Sequence, residues 1–71
     1  MKKEIIENNV YDLRSKENVT QESLAEAVGV TRQTIISIEK GNYTPSVILA
    51  LKISRFFNKP LEEVFNISYE K

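Results

Sequence analysis

Four side chains between residues 32 and 37 have the chemistry needed to read the edges of nucleic-acid bases. Arg32 can donate two hydrogen bonds to the O6 and N7 of a guanine, and Gln33 can pair with the N6 and N7 of an adenine. Ile36 can cover a thymine methyl group, and Ser37 adds a small hydroxyl. The same residues also fit a solvated helix face on which one exposed isoleucine has no special role.

A first helix is predicted just before these residues, over positions 21–28. Thr20 can act as its N-cap, because a threonine hydroxyl accepts a hydrogen bond from a backbone N–H two or three residues later. Gly29 ends the helix, because glycine enters the left-handed region of backbone space without a steric penalty. The residues on its inner face are Leu24, Ala25 and Val28.

A second helix is predicted from Arg32 to about Lys40, and it carries the candidate base-reading face. Thr31 can cap this helix, and Gly41 stops it. The inward residues are Ile35 and Ile38, with Val30 in the corner between the two helices. Two short helices joined through a glycine are typical of a helix-turn-helix motif, although an ordinary helical hairpin inside a bundle has the same pattern.

The remaining segments predict three more helices and two short ends with strand character. The helices lie at about 8–16, 47–57 and 61–65, and Pro60 suits the first turn of the last one. The inward residues of the helix at 47–57 are Val47, Ala50, Ile53, Ser54 and Phe57. Residues 3–6 and 66–69 favour strands and can pair in antiparallel fashion. We therefore expect an all-α fold of five helices, with or without that strand pair, in one domain over residues 1–71.

Composition limits the classes of protein that this chain can represent. Ten basic and ten acidic residues cancel, so affinity for nucleic acid must depend on local geometry and on paired subunits rather than on net charge. Without cysteine or histidine, disulfides and the commonest zinc-ligand sets are missing, and no metal or cofactor is expected. No apolar run approaches the ~20 residues that span a bilayer, so we expect a cytoplasmic protein with no membrane partner.

Catalysis is not expected from these residues. Histidine, cysteine and a glycine-rich phosphate loop are absent, and the adjacent Glu62 and Glu63 diverge on a helix rather than face each other. We also expect no small-molecule ligand, because 71 residues leave no room for a sensor domain beside the helices. The sequence thus favours a binding protein over an enzyme.

Residues 20–46, which read TQESLAEAVGVTRQTIISIEKGNYTPS, resemble the Cro/C1 repressor-type helix-turn-helix family. The similarity continues through residues 50–53 and 61–65, so it covers nearly the whole chain apart from its ends. Within the family, the chain is most similar to compact one-domain bacterial regulators such as the cytolysin repressor. Those proteins are dimers in which the two ends of each chain form a short strand pair.

The resemblance implies a role for each matching residue. It places Arg32, Gln33 and Ser37 in the major groove, where Ile36 stands in place of a residue that is often polar. The expected contacts to the DNA backbone are Gln21, Thr31, Lys40, Asn42 and Tyr43. Arg14 and Glu39 match a pair that forms an internal salt bridge in relatives, and we assign them to structure rather than to DNA contact.

Apolar residues in the second half of the chain exceed what one small core can absorb. The surplus on the helix at 47–57 is Ile48, Leu49, Leu51 and Phe56. We expect a dimerisation region over about 56–69, with Phe65 and Ile67 near its centre and Tyr69 beside them. The alternative is that all of these residues pack within one chain.

The leading hypothesis is a sequence-specific DNA-binding transcriptional regulator, a repressor that binds a palindromic operator as a homodimer. The alternative is an antitoxin or antirepressor that acts mainly by binding a partner protein. Both hypotheses use the same helix-turn-helix, so the sequence leaves them open.

Overall fold

The computed structural model describes residues 3–69, which form five helices and a two-stranded antiparallel sheet. In chain order the elements are β1 (Glu4–Asn8), α1 (Val10–Lys16), α2 (Gln21–Val28), α3 (Arg32–Glu39), α4 (Val47–Phe56), α5 (Leu61–Val64) and β2 (Phe65–Tyr69). The expectation of five helices and of a terminal strand pair is confirmed. The all-α description needs correction, because both ends of the described chain enter the sheet.

The sheet joins the two ends of the domain in a fixed register. Glu4 lies opposite Tyr69, Ile6 opposite Ile67, and the pairing continues inward to Asn8 and Phe65. The strands are longer than the sequence pattern indicates, because β1 runs on to Asn8, which was expected in the helix at about 8–16. Helix α1 therefore begins at Val10.

One hydrophobic core holds the helices together, and every helix contributes to it. Its fully buried larger side chains are Leu24, Ile35, Ile38, Ile53, Val10 and Val64. Four half-buried residues pack around this core, namely Leu13, Val19, Val30 and Leu61. Val30, at the corner between α2 and α3, is among them, so the angle between these helices is set by packing as well as by the turn.

Three hydroxyl side chains start the longer helices. Thr20 accepts a hydrogen bond from the Ser23 N–H at 3.0 Å, and Thr31 accepts one from the Thr34 N–H at 3.3 Å. Ser46 does the same for α4. Each cap satisfies a backbone donor that has no partner inside its own helix.

Four helices end in the same way, with a residue in the left-handed conformation. Gly29 and Gly41 have φ values of 80° and 78°, and Asn18 and Asn58 have φ values of 57° and 56°. A Cβ placed on either glycine would meet no atom within 4 Å, so the backbone angle, and not space, is what favours glycine there. Asparagine tolerates this conformation better than most residues, which explains its use at the other two helix ends.

Helix α4 differs from the predicted pattern at its first turn. Val47 is 75% exposed and does not face inward, whereas Leu49, expected among the surplus residues, is buried. The helix ends at Phe56, and Phe57 caps it while packing into the core. Ala50, Ile53 and Ser54 are buried, and the Ser54 hydroxyl donates to the Ala50 carbonyl at 2.9 Å.

Two further features concern the described residues alone. Within residues 3–69, no helix combines the length and apolar character needed to cross a membrane. In the same range, no cluster of acidic side chains is arranged to hold a metal ion.

Candidate nucleic-acid interface

Helix α3 presents the candidate base-reading residues along its outer side. Arg32 and Gln33 are exposed in its first turn, immediately after the Thr31 cap. Ile36 and Ser37 are half-buried one turn later, so only part of each side chain is free to contact a partner. The opposite side of α3 is fixed in the core, which makes the helix a rigid mount for its outward side chains.

Two shallow depressions flank the first turn of α3. On one side, Arg32 lines a depression together with Gln21 and Arg14. On the other side, Gln33 and Ser37 line a second depression. The other residues around the second depression are Thr31, Thr34, Asn42 and Tyr43. The two depressions together include most of the predicted contact residues.

Thr34 belongs to this surface, although it was not among the predicted contacts. Its hydroxyl lies 3.1 Å from the Thr31 hydroxyl, and it is one helical turn before Ser37. Residues three positions apart on a helix lie on the same side, so the i, i+3 spacing from Thr31 was the signal that could have identified it. One of the two hydroxyl protons is used in the bond between them, so the pair has one proton left to donate to a phosphate or base oxygen.

The end of α3 and the turn after it hold three more predicted contacts. Lys40 caps the helix and is exposed, and Gly41 then reverses the chain in the left-handed conformation. The Asn42 N–H donates to the Ser37 carbonyl at 2.9 Å, which ties the turn back to the helix. Asn42 and Tyr43 are both exposed as a result. Lys40 lies apart from the two depressions.

Arg14 and Glu39 form a bidentate ion pair between α1 and α3. Arg14 Nε lies 2.7 Å from Glu39 Oε2, and Arg14 Nη2 lies 3.1 Å from Oε1. Arg14 Nη1 also donates to the Val19 carbonyl at 3.0 Å, and its guanidinium lies 5.4 Å from the centre of the Tyr11 ring. The side chains are only 13% and 7% exposed, so the pair is largely shielded from solvent.

The hydrogen bond to Glu39 raises the pKa of the Arg14 guanidinium above its ordinary value, while burial acts in the opposite direction. The arginine therefore stays charged throughout the physiological pH range. Since all three guanidinium nitrogens donate within the protein, Arg14 is a structural residue that orients α1 on α3.

Gln21 takes part in the same cluster. Its Nε2 donates to Glu39 Oε1 at 3.1 Å, so the side chain expected on a phosphate is already hydrogen-bonded inside the protein. Gln21 is also the first residue of α2, where the partial positive charge of the helix end favours an anion. The side chain thus lies at the edge of the interface and links it to the ion pair.

The three residues expected in a dimer interface do not share one environment. Phe65 is only 8% exposed and belongs to the core of the single chain, while it also lines an apolar groove beside Ile67, so its place in an interface stays a prediction. Ile67 and Tyr69 are 58% and 57% exposed on β2. Of these three residues, Ile67 and Tyr69 carry the exposed apolar surface.

The chain belongs to the helix-turn-helix family of Cro/C1 type. The family model described as helix-turn-helix matches residues 10–64, which confirms the resemblance seen in the sequence. The match begins with α1 and ends with α5, so it includes the ion pair and the whole α2–α3 motif.

Individual relatives agree with this membership. The chain is 49% identical over 65 residues to the uncharacterized HTH-type transcriptional regulator YgzD of Bacillus subtilis, covering 92% of this chain and 98% of that protein. It is 30% identical over 61 residues to the cryptic phage CTXphi transcriptional repressor RstR of Vibrio cholerae, covering 86% of this chain and 55% of the repressor. Among solved structures, the restriction-modification controller protein C.AhdI of Aeromonas hydrophila has a TM-score of 0.73 and 25% identity, covering 78% of this chain and 83% of that one.

Proposed function

We propose that this protein is a sequence-specific DNA-binding transcriptional regulator that places α3 in the major groove. The observation that carries the proposal is the outer face of α3, where Arg32 and Gln33 are exposed on a helix anchored from behind by the core. Both side chains can form two hydrogen bonds with a single base, which is how proteins distinguish base pairs in the major groove. The names of the relatives as transcriptional regulators support the same function.

The charges on α3 support contact with DNA despite the zero net charge of the chain. Glu39 is the one carboxylate on this helix, and it points inward to Arg14 with 7% of its side chain exposed. The exposed charges of the helix and its cap are then the cations of Arg32 and Lys40. The outer face of α3 therefore carries no negative charge that would repel the phosphate groups on either side of the groove.

Repression of transcription is the mode of action that we propose. The relative RstR is named a transcriptional repressor, and its match extends over 86% of this chain. A domain bound in the major groove at a promoter blocks RNA polymerase by occupying its site, and this mechanism needs no surface other than the DNA-binding face. The alternative, an antitoxin or antirepressor, uses the domain mainly to bind a partner protein.

A homodimer on a palindromic operator completes the proposal. The exposed Ile67 and Tyr69 lie on β2, and an apolar groove beside them is lined by Ile6, Pro45, Val47, Leu61 and Phe65. Two-fold pairing through this surface would bury apolar side chains that are now in water. The dimer would present two α3 helices, one from each protomer. They can read a palindrome when they lie about 34 Å apart, which is one turn of DNA.

A gel-shift assay with the DNA that flanks the gene for this protein tests the function. We expect a discrete complex on one fragment that survives an excess of random competitor DNA, and we expect the double variant R32A/Q33A to lose it. A wild-type protein that binds all fragments equally would contradict sequence-specific regulation. Absence of any DNA complex would favour the partner-binding alternative.

A further inference from the structure

The side chain of Asn8 connects the terminal sheet to α3. Asn8 is the last residue of β1, and its Nδ2 donates to the carbonyl of Ile38 at 2.9 Å, across 30 positions of sequence. Within residues 3–69, this is the one hydrogen bond that joins the sheet to α3. It reaches the last turn of α3, at the opposite end of the helix from Arg32 and Gln33.

The same side chain also fixes the start of α1. Asn8 Oδ1 accepts a hydrogen bond from the Val10 N–H at 3.1 Å. The donor and acceptor of one amide are therefore both occupied, by two different helices. A side chain held in this way has little rotational freedom, so it transmits the position of the strand to α3.

The strand that carries Asn8 is itself firmly placed. Asn8 lies opposite Phe65 in the sheet, and Phe65 is buried in the core. Ile67, two residues further along β2, belongs to the surface that we propose for the dimer. A short path therefore runs from the dimer surface through the sheet and Asn8 to the end of α3.

We infer that Asn8 is a positioning residue that fixes the angle between α3 and the terminal sheet, and thereby the operator spacing that the dimer accepts. The inference rests on the proposed function, because spacing has meaning only for a dimer on two half-sites. In a two-fold dimer, a change of tilt in each α3 alters the distance between the two reading helices. Affinity for one half-site does not depend on that distance.

Two substitutions test the inference, because Asn8→Ala removes the bond to Ile38 and also leaves the Val10 N–H without its side-chain acceptor. The Ile38 carbonyl also accepts from the Gly41 N–H at 3.0 Å and is not left unpaired in Asn8→Ala. Asn8→Asp is a second variant: its carboxylate can still accept from Val10 but cannot donate to Ile38. Asn9→Ala is the matched control, because Asn9 Nδ2 donates to the Glu63 carbonyl at the same 2.9 Å and serves α5 instead of α3.

The wild type first selects a palindrome from random DNA. The affinity of each variant is then measured for three kinds of DNA. These are the selected palindrome, versions of it with one base pair added or removed between the half-sites, and one isolated half-site. The wild type and Asn9→Ala are expected to prefer the selected spacing by about tenfold or more. Asn8→Ala and Asn8→Asp are expected to reduce this preference to about threefold or less, with half-site affinity within about twofold of the wild type.

Two results would overturn the role of Asn8. One is an unchanged spacing preference in both Asn8 variants. The other is a loss of half-site affinity that matches the loss on the full palindrome, since this indicates general weakening of the domain. If the wild type selects no palindrome, the proposed dimer on two half-sites is wrong and the inference fails with it. If the wild type selects a palindrome but the Asn8 variants keep its spacing preference, the inference alone is wrong.

Discussion

Gln21 and Glu39 are hydrogen-bonded across the helix-turn-helix, with Gln21 Nε2 donating to Glu39 Oε1 at 3.1 Å. The same carboxylate accepts two hydrogen bonds from Arg14, so one acidic side chain joins α1, α2 and α3. This arrangement holds the only carboxylate of α3 away from its outer face. The stability of the motif and its suitability for a polyanion therefore depend on the same group.

We predict that Arg14 and Glu39 are energetically coupled. Arg14→Ala or Glu39→Gln alone is expected to reduce the free energy of unfolding by about 1–3 kcal/mol, because each leaves a largely buried partner without its counter-charge. In urea unfolding, the double variant is expected to lose less than the sum of the two single losses. The exposed Glu26→Gln is the control, with a change within about 0.5 kcal/mol. Additive losses would argue against the pairing.

We predict that Arg32 and Gln33 supply the sequence preference. Replacing either with alanine is expected to cost about 1–3 kcal/mol of binding to the selected operator and much less on random DNA, because a base contact is lost. Circular dichroism is expected to be unchanged, since both side chains are exposed. Arg55→Ala, an exposed arginine on α4, is the charge-matched control and retains the preference. Equal losses on both kinds of DNA would assign these residues to phosphates.

We predict that Lys40 contacts a phosphate. Lys40→Ala is expected to weaken binding to all sequences about equally and to reduce the slope of log affinity against log salt by about one ion. The exposed Lys59→Ala, beyond the end of α4, serves as the control and leaves the slope unchanged. Gln21→Ala is expected to weaken binding with little change of slope, because the side chain is uncharged. A Lys40 variant with the wild-type slope would place this side chain away from the phosphates.

The motif helices were predictable because their signals are local. Thr20 and Thr31 cap α2 and α3, and Gly29 and Gly41 end them, within a few residues of the apolar positions that they frame. Asn18 and Asn58 end two other helices in the same conformation, but asparagine also occurs in many other settings and is a weaker signal than glycine. Periodicity also fails at the first turn of α4, where Val47 projects beyond the core.

The parts that local signals could not predict depend on contacts distant in sequence. The burial of Phe65 follows from the pairing of β1 with β2, which joins opposite ends of the domain. The hydrogen bond from Asn8 to Ile38 spans 30 positions, and the one from Gln21 to Glu39 spans 18. Side-chain patterns over one or two helical turns contain no information on contacts between residues so far apart in the sequence.

We predict that the dimer surface includes Ile67. Ile67→Asp is expected to shift the protein toward a monomer in sedimentation at micromolar concentration, because a charge on an apolar interface loses its hydration. Its 58% exposure in the single chain means that the domain still folds. Ala27→Asp, at an exposed position on α2 outside the apolar groove, is the control and is expected to sediment as the wild type does. A wild-type monomer, or an Ile67→Asp variant that still dimerises, would place the interface elsewhere.

The most direct test of the account is selection of bound sequences from random duplex DNA, followed by sedimentation of the complex on the enriched sequence. We predict a palindromic consensus with half-sites centred about 10 base pairs apart, bound by two protomers per duplex. The same selection with R32A/Q33A is predicted to enrich no consensus. A wild-type protein that enriches no sequence, or a double variant that enriches the same one, would contradict recognition of DNA through α3.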